Sequence, residues 1–156
     1  MVNRSFKLIK RVCVFLCLAV CFGCSDDSDN PEEQTQIETE QQWQLTAIVE
    51  NGAEVATPGN CKTAYLILEE DGTFRGLVGV NQLDGTFDID PISGKISFKY
   101  TMTQLGSLEP NVIEFEKMYM KLFGKIISYI SSDDDLKLYY GDNSYLQYQI
   151  EEVEKL

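Results

Sequence analysis

The sequence predicts a mainly β (α+β) fold: an antiparallel, strongly curved sheet or open barrel of about eight strands with one helix packed on it. Three observations predict it. Short runs of period-two alternation recur between residues 42 and 150, turn residues rich in Gly, Asp and Asn separate them, and one segment at residues 111–123 switches to helical period. Composition then narrows what the fold is for. The 156 residues include no histidine, so Ser-His-Asp and Cys-His catalysis are absent, as is every histidine metal site. Beyond residue 23 nine basic groups face 25 acidic ones, and Arg75 is the only arginine after Arg11. A phosphate-backbone binder needs a Lys/Arg surface, so nucleic acid is excluded as a partner.

Taking the chain in order, residues 1–23 read as a signal peptide. Arg4, Lys7, Lys10 and Arg11 precede an uncharged apolar run from Val12 to Gly23. That run spans about 18 Å as a helix, short of the roughly 30 Å hydrocarbon core of a bilayer. Cys21-Phe22-Gly23-Cys24 resembles a bacterial lipobox, in which a small residue precedes a cysteine that is acylated and becomes the mature N-terminus. Cys24 is therefore the expected lipidation site, and the membrane is the expected partner of its acyl chains. Residues 24–41 read as an acidic disordered tether: Ser25 to Gln41 holds seven acids, no base and Ile37 as its one aliphatic residue. Serine and aspartates directly after the cysteine resemble the acidic surface-export signal of lipoproteins in some Gram-negative bacteria. The expected address is the bacterial outer membrane, lipid-anchored and surface-exposed, or otherwise periplasm-facing.

Residues 42–156 are long enough for one domain with its own core. Trp43, Leu45, Ala47 and Val49 alternate with Gln44, Thr46, Ile48 and Glu50, which predicts a first strand with its first set facing inward. Thr63 to Glu69 and Thr73 to Val78 flank Asp71-Gly72, a strong hairpin signal. Gly85 to Asp90 and Lys95 to Tyr100 form a second hairpin around Pro91 and Gly94, with Ile96, Phe98 and Tyr100 on one face. Ile126 to Ser131, Leu136 to Tyr140 and Tyr145 to Ile150 predict three closing strands, and the short loops predict an antiparallel meander.

Val112, Phe115, Met118, Tyr119, Leu122 and Phe123 recur at helical spacing, with Glu114, Glu116, Lys117 and Lys121 largely between them. Asn111 and Glu114 are spaced for a capping box, and Gly124 for the left-handed position after a helix. Gly76, Gly79 and Gly85 are expected to ease the curvature of the sheet.

Trp43-Gln44-Leu45, Gly76-Leu77-Val78-Gly79-Val80-Asn81 and Gly85-Thr86-Phe87 together resemble the META domain, or HslJ-like, family. So do Thr103-Gln104-Leu105-Gly106-Ser107, the helix residues Glu116, Tyr119 and Leu122, Ser128-Tyr129-Ile130 and Leu136-Lys137-Leu138. The likeness covers about Gln42 to Ile150. It implies a lipocalin-like β fold with a helix, a cell-envelope location, links to stress resistance and no established enzymatic activity. The family often reads Gly-Cys-Asn and ends its threonine motif in cysteine, where this chain has Val80 and Ser107. If that pair can form a bridge in the family, it is lost here as a unit.

The candidate binding residues are Gly79, Asn81 and Gly85, expected to mark a bulge or tight bend where a ligand would approach bare backbone; the plainer reading is turn chemistry. Cys61, beside Lys62, is the only free thiol expected in the mature domain, and without histidine it lacks a base. Asp133-Asp134-Asp135 and the Asp88, Asp90 pair lack calcium-loop spacing, so no metal is expected. Glu69, Glu70 and Asp71 single out no catalytic pair, and tyrosine stripes such as Tyr139 and Tyr140 read as strand residues. The expectation is a protein that is not an enzyme and holds no cofactor. It would be a binding or interaction module for an unknown envelope or extracellular protein. The alternative is a carrier of a small apolar ligand in a barrel cavity.

Overall fold

The computed structural model describes residues 36–57 and 64–151. Cys24, Cys61 and the expected signal peptide lie outside the described residues. Nine strands form one antiparallel sheet: β1 Gln42–Glu50, β2 Ala53–Glu54, β3 Ala64–Leu68, β4 Thr73–Val78, β5 Asn81–Asp90, β6 Lys95–Met102, β7 Ser128–Ser131, β8 Asp135–Gly141 and β9 Ser144–Ile150. The order is β2-β1-β3-β4-β5-β6-β7-β8-β9, and β1 also pairs with β9, so eight strands curve into a near-ring. The meander and the mainly β class stand as the sequence predicts.

Local chemistry builds each corner. At Asp71-Gly72 the aspartate accepts from the Thr73 amide at 2.9 Å and from its hydroxyl at 2.6 Å, while Gly72 takes φ +81°. Asp90 likewise accepts from the Ile92 amide at 3.0 Å and the Ser93 hydroxyl at 2.6 Å. These donated bonds, the hydroxyls foremost, hold both carboxyls below the ordinary aspartate range. The β1–β2 hairpin is not among the expected strands, although Asn51-Gly52, with φ of 53° and 80°, has the positive pair a type I′ turn requires.

Strand β1 departs from simple alternation. A bulge between Leu45 and Ala47 changes its phase, so Trp43, Leu45, Ile48 and Val49 are buried and Ala47 is only half-buried. The second hairpin is longer than expected, because β5 starts at Asn81 and β6 runs on to Met102.

The ring is weakest between β6 and β7, where Lys95 and Ser128 are the one strand pair. Helix α1 (Pro110–Phe123) lies in the chain between these two strands and packs into the interior. Its start differs from the expected capping box. Pro110 occupies the first turn, Glu109 is the N-cap and its side chain makes no capping bond, whereas Ser107 accepts from the Glu109 amide at 3.1 Å. Gly124 is right-handed, at φ −67°. A Cβ there would sit 3.1 Å from the Tyr100 hydroxyl, so close approach and not backbone handedness suits glycine to the site.

Phe115, Tyr119, Leu122 and Phe123 are buried as the helical period predicts, and Val112 and Met118 are half-buried. Phe123 meets Phe98 at 4.8 Å, Phe74 at 6.0 Å and Tyr119 at 5.6 Å, forming an aromatic column through the interior. The Tyr119 and Tyr148 hydroxyls share a hydrogen bond of 2.7 Å in the core. Burial raises both phenols above the ordinary tyrosine range, so the pair is neutral.

The folded unit begins before Gln42, which corrects the expected end of the tether. Ile37 is 4% exposed and belongs to the core. The Glu40 amide donates to the Leu68 carbonyl at 2.7 Å, and Trp43 Nε1 donates to the Glu38 carbonyl at 2.9 Å. Residues 36–40 thus form a strap across one end of the barrel, and burying Ile37 stabilises it by about 1.5–3 kcal/mol.

Candidate functional site

The sequence directs attention to Gly79, Asn81 and Gly85, and the structure separates them. Val78 pairs with Asn81, so Gly79 and Val80 are the two central residues of a tight turn, with Gly79 at φ +59°. Asn81 opens β5, and Gly85 sits inside that strand opposite Phe74 and Tyr100. The register continues through Gly85, which removes the expected bulge. A Cβ at Gly85 would overlap the Lys99 carbonyl, so the residue marks close backbone packing.

Asn81 is 2% exposed and engaged on every side by protein. Its Oδ1 accepts from the Leu105 amide at 2.7 Å and the Thr103 hydroxyl at 3.1 Å, and its Nδ2 donates to the Leu105 carbonyl at 3.2 Å and Glu116 Oε1 at 3.0 Å. Glu116 Oε1 also accepts from the Val80 amide at 2.9 Å. A Cβ on Gly79 would run into that carboxylate. Together these contacts rivet α1, the β4–β5 turn and the 103–105 segment, leaving Asn81 no free polar atom for a ligand. The turn reading holds here. It also ties the segments carrying Val80 and Ser107 to one another.

Glu116 is the residue that periodicity misplaces, since the helical spacing puts it with the charged side chains of α1 yet it is 9% exposed. A buried carboxylate is tolerated because two donors reach it. The signal that finds it is its place among the family-like residues Glu116, Tyr119 and Leu122.

Three of the other acids that the sequence offers have protein partners. Asp135 accepts from Gln147 Nε2 at 2.8 Å and lies 3.9 Å from Lys137 Nζ, Asp90 holds its own turn, and Glu69 pairs with Arg75 at 3.0 Å. Among the described residues no cluster of acids or cysteines is arranged to hold a metal ion. The Tyr139 and Tyr145 rings lie 5.1 Å apart, tilted by 49°, while Tyr140 donates to the Val49 carbonyl at 2.8 Å.

A concavity that sequence reasoning did not find lies at the opposite end of the barrel, beneath the strap. It has a volume of about 660 Å³ and is walled by Ile37, Leu68, Phe87, Ile89, Pro91 and Tyr129, with Glu69, Glu70 and Asp88 among its polar margin. Phe87 and Ile89 share the inward face of β5 with Leu83, yet Leu83 is fully buried and they are only half-buried. The helix fills the barrel beside Leu83 and stops short of this end. No local pattern in the sequence records where a helix stops filling.

The NMR structure of a protein from Burkholderia xenovorans is similar with a TM-score of 0.60 and 19% identity, over 73% of this chain and 83% of that one. The crystal structure of a DUF4847 family protein from Bacteroides vulgatus is similar with a TM-score of 0.57 and 15% identity, over 78% of this chain and 95% of that one. At these identities the likeness is one of fold. A comparison with curated proteins gave no match. Residues 35–152 match the META domain, a span that starts beside the buried strap and ends with β9, so the chain belongs to the META domain family.

Proposed function

We propose that this chain is an envelope lipoprotein, held in the bacterial outer membrane through acyl groups on Cys24, whose META domain is a non-catalytic binding module linked to envelope stress resistance. The anchor rests on the n-region, apolar run and lipobox-like Cys21 to Cys24. One observation carries the binding mode: α1 occupies the barrel interior with Phe115, Tyr119, Leu122 and Phe123. A lipocalin-like carrier needs that space empty, and close-packed side chains leave a ligand only the barrel's open end and its outer surface. The best-formed clefts among the described residues lie there, and none is walled by α1. This favours recognition at the surface over transport inside the barrel.

The test is native mass spectrometry of the protein released gently from its host's membranes, alongside a Cys24→Ser version. Acyl mass on Cys24, loss of membrane association in the variant and a co-purifying protein or small adduct are the expected results. A Cys24→Ser chain that stays in the membrane pellet overturns the anchor. A bare polypeptide mass under every gentle extraction overturns the binding module.

A further inference from the structure

We propose that the cleft beneath the 36–40 strap is a binding site for a small organic cation, a protonated amine or guanidinium carried on a compact apolar body. The proposal rests on the binding-module reading and names the ligand chemistry of one site within it.

Three independent features converge there. The first is the half-open floor. Inward-facing side chains of a barrel are ordinarily sealed, as Leu83, Leu68 and Leu136 are, but Phe87 and Ile89 keep part of their surface open to a concavity of about 660 Å³. That volume lies within the roughly 300–1,000 Å³ of small-molecule sites. The apolar floor favours a ligand body of aryl or branched alkyl character.

The second is Tyr129. Its side chain is 2% exposed, it lines the cleft, and its hydroxyl makes no hydrogen bond among the described residues. No side-chain oxygen or nitrogen among the described residues is sealed from solvent without a partner, so this hydroxyl opens onto the cleft while its ring is locked in the core. A phenol held this way is a fixed acceptor for an N–H donor. By contrast the other deeply buried tyrosines, Tyr119 and Tyr148, satisfy each other at 2.7 Å.

The third is the sign of the margin. Glu69 and Glu70 border the cleft and no lysine or arginine lines it, while Asp88, between the inward-facing Phe87 and Ile89, turns its side chain to the outer face of β5. Glu69 is already paired with Arg75 at 3.0 Å, which leaves Glu70 without an ion pair among the described residues. An unpaired carboxylate beside an apolar wall repels an anionic ligand and offsets the desolvation of a cationic one. Phe87 supplies an aromatic ring to the apolar wall. Glu70 also borders the adjoining depression with Glu40 and Asp71, so the negative margin continues beyond the cleft.

The experiment is an NMR titration of the full-length chain, held in a nonionic detergent, with three molecules of one shape: 4-phenylbutylamine, 4-phenylbutan-1-ol and 4-phenylbutanoate. The amine is expected to shift the Phe87, Ile89 and Tyr129 signals and to bind about tenfold or more tightly than the alcohol, while the acid does not saturate. Glu70→Gln, at an exposed position that leaves the core untouched, is expected to erase the amine's advantage without changing alcohol binding. Tyr129→Phe weakens the amine in a protein that keeps its fold. Equal affinities for amine and alcohol, shifts confined to other faces, or no saturation by the amine overturns the proposal. If the amine fails while a host component still co-purifies with the chain, the cleft assignment falls and the wider binding reading stands. If the amine binds at the cleft and nothing co-purifies, the cleft chemistry stands and the wider reading falls.

Discussion

Substituting alanine at Gly79 tests whether the rivet between α1 and the β4–β5 turn works as a unit. Two costs arise at this one position. Backbone φ is +59°, which an L-residue adopts at about 1–2 kcal/mol. The added methyl also overlaps the Glu116 carboxylate, which must turn away and release the Val80 amide at 2.9 Å and Asn81 Nδ2 at 3.0 Å. Losing bonds to a charged acceptor adds about 2–3 kcal/mol, so Gly79→Ala destabilises by about 3–5 kcal/mol. Glu116→Ala by itself costs about 2–4 kcal/mol for the same lost bonds. In the double variant the methyl meets no carboxylate, and only the backbone cost is added to that of Glu116→Ala. The double variant is therefore more stable than the sum of the single effects implies, with a coupling of about 2–3 kcal/mol. Equilibrium unfolding in guanidinium chloride reads this through Trp43, the single tryptophan, which is fully buried. Additivity within about 0.5 kcal/mol would refute the shared contact.

Three further outcomes follow from the same geometry. Tyr119→Phe or Tyr148→Phe alone strands one core hydroxyl and lowers stability by about 1–3 kcal/mol, whereas the double phenylalanine variant recovers part of the loss; a double variant worse than both singles contradicts the pairing. Ile37→Ala lowers stability by about 2–4 kcal/mol and speeds amide exchange at Glu40, while a neutral result shows that the strap is not part of the cooperative unit. Asp71 and Asp90 have carboxyls depressed below 3.8 in the fold, so they bind fewer protons there than in the unfolded chain. Their contribution is complete above that value and is lost as pH falls through the lower folded values. Asp71→Asn with Asp90→Asn should therefore flatten the acid limb of a stability-versus-pH curve, and an unchanged limb refutes it.

Several strands and turns were legible because their causes are local. Asp71-Gly72 and Pro91 to Gly94 turn the chain with residues that lie side by side, and the helix announces itself through Phe115, Tyr119 and Leu122 at neighbouring turns. Asn51-Gly52 obeys the same local rule and turns β1 into β2. The site was less legible. Gly79 and Asn81 stood out as a tract of special backbone, but whether Asn81 faces a ligand or a neighbour depended on Glu116, 35 residues away. Gly124 illustrates the limit well: glycine at a helix end suggests handedness, and only the Tyr100 hydroxyl overhead supplies the actual constraint.

By itself the sequence determined the fold class and the meander and the exclusion of histidine chemistry, because composition, period and turn residues act over a few neighbours. Tertiary structure decided the rest. Burial of Glu116 and Ile37, the changed phase of β1 after its bulge, and the cleft between Phe87 and Tyr129 all depend on segments far apart in the chain meeting in space. A side chain's neighbours across a barrel are set by ring closure and by where the helix ends, and no stretch of adjacent residues encodes either one.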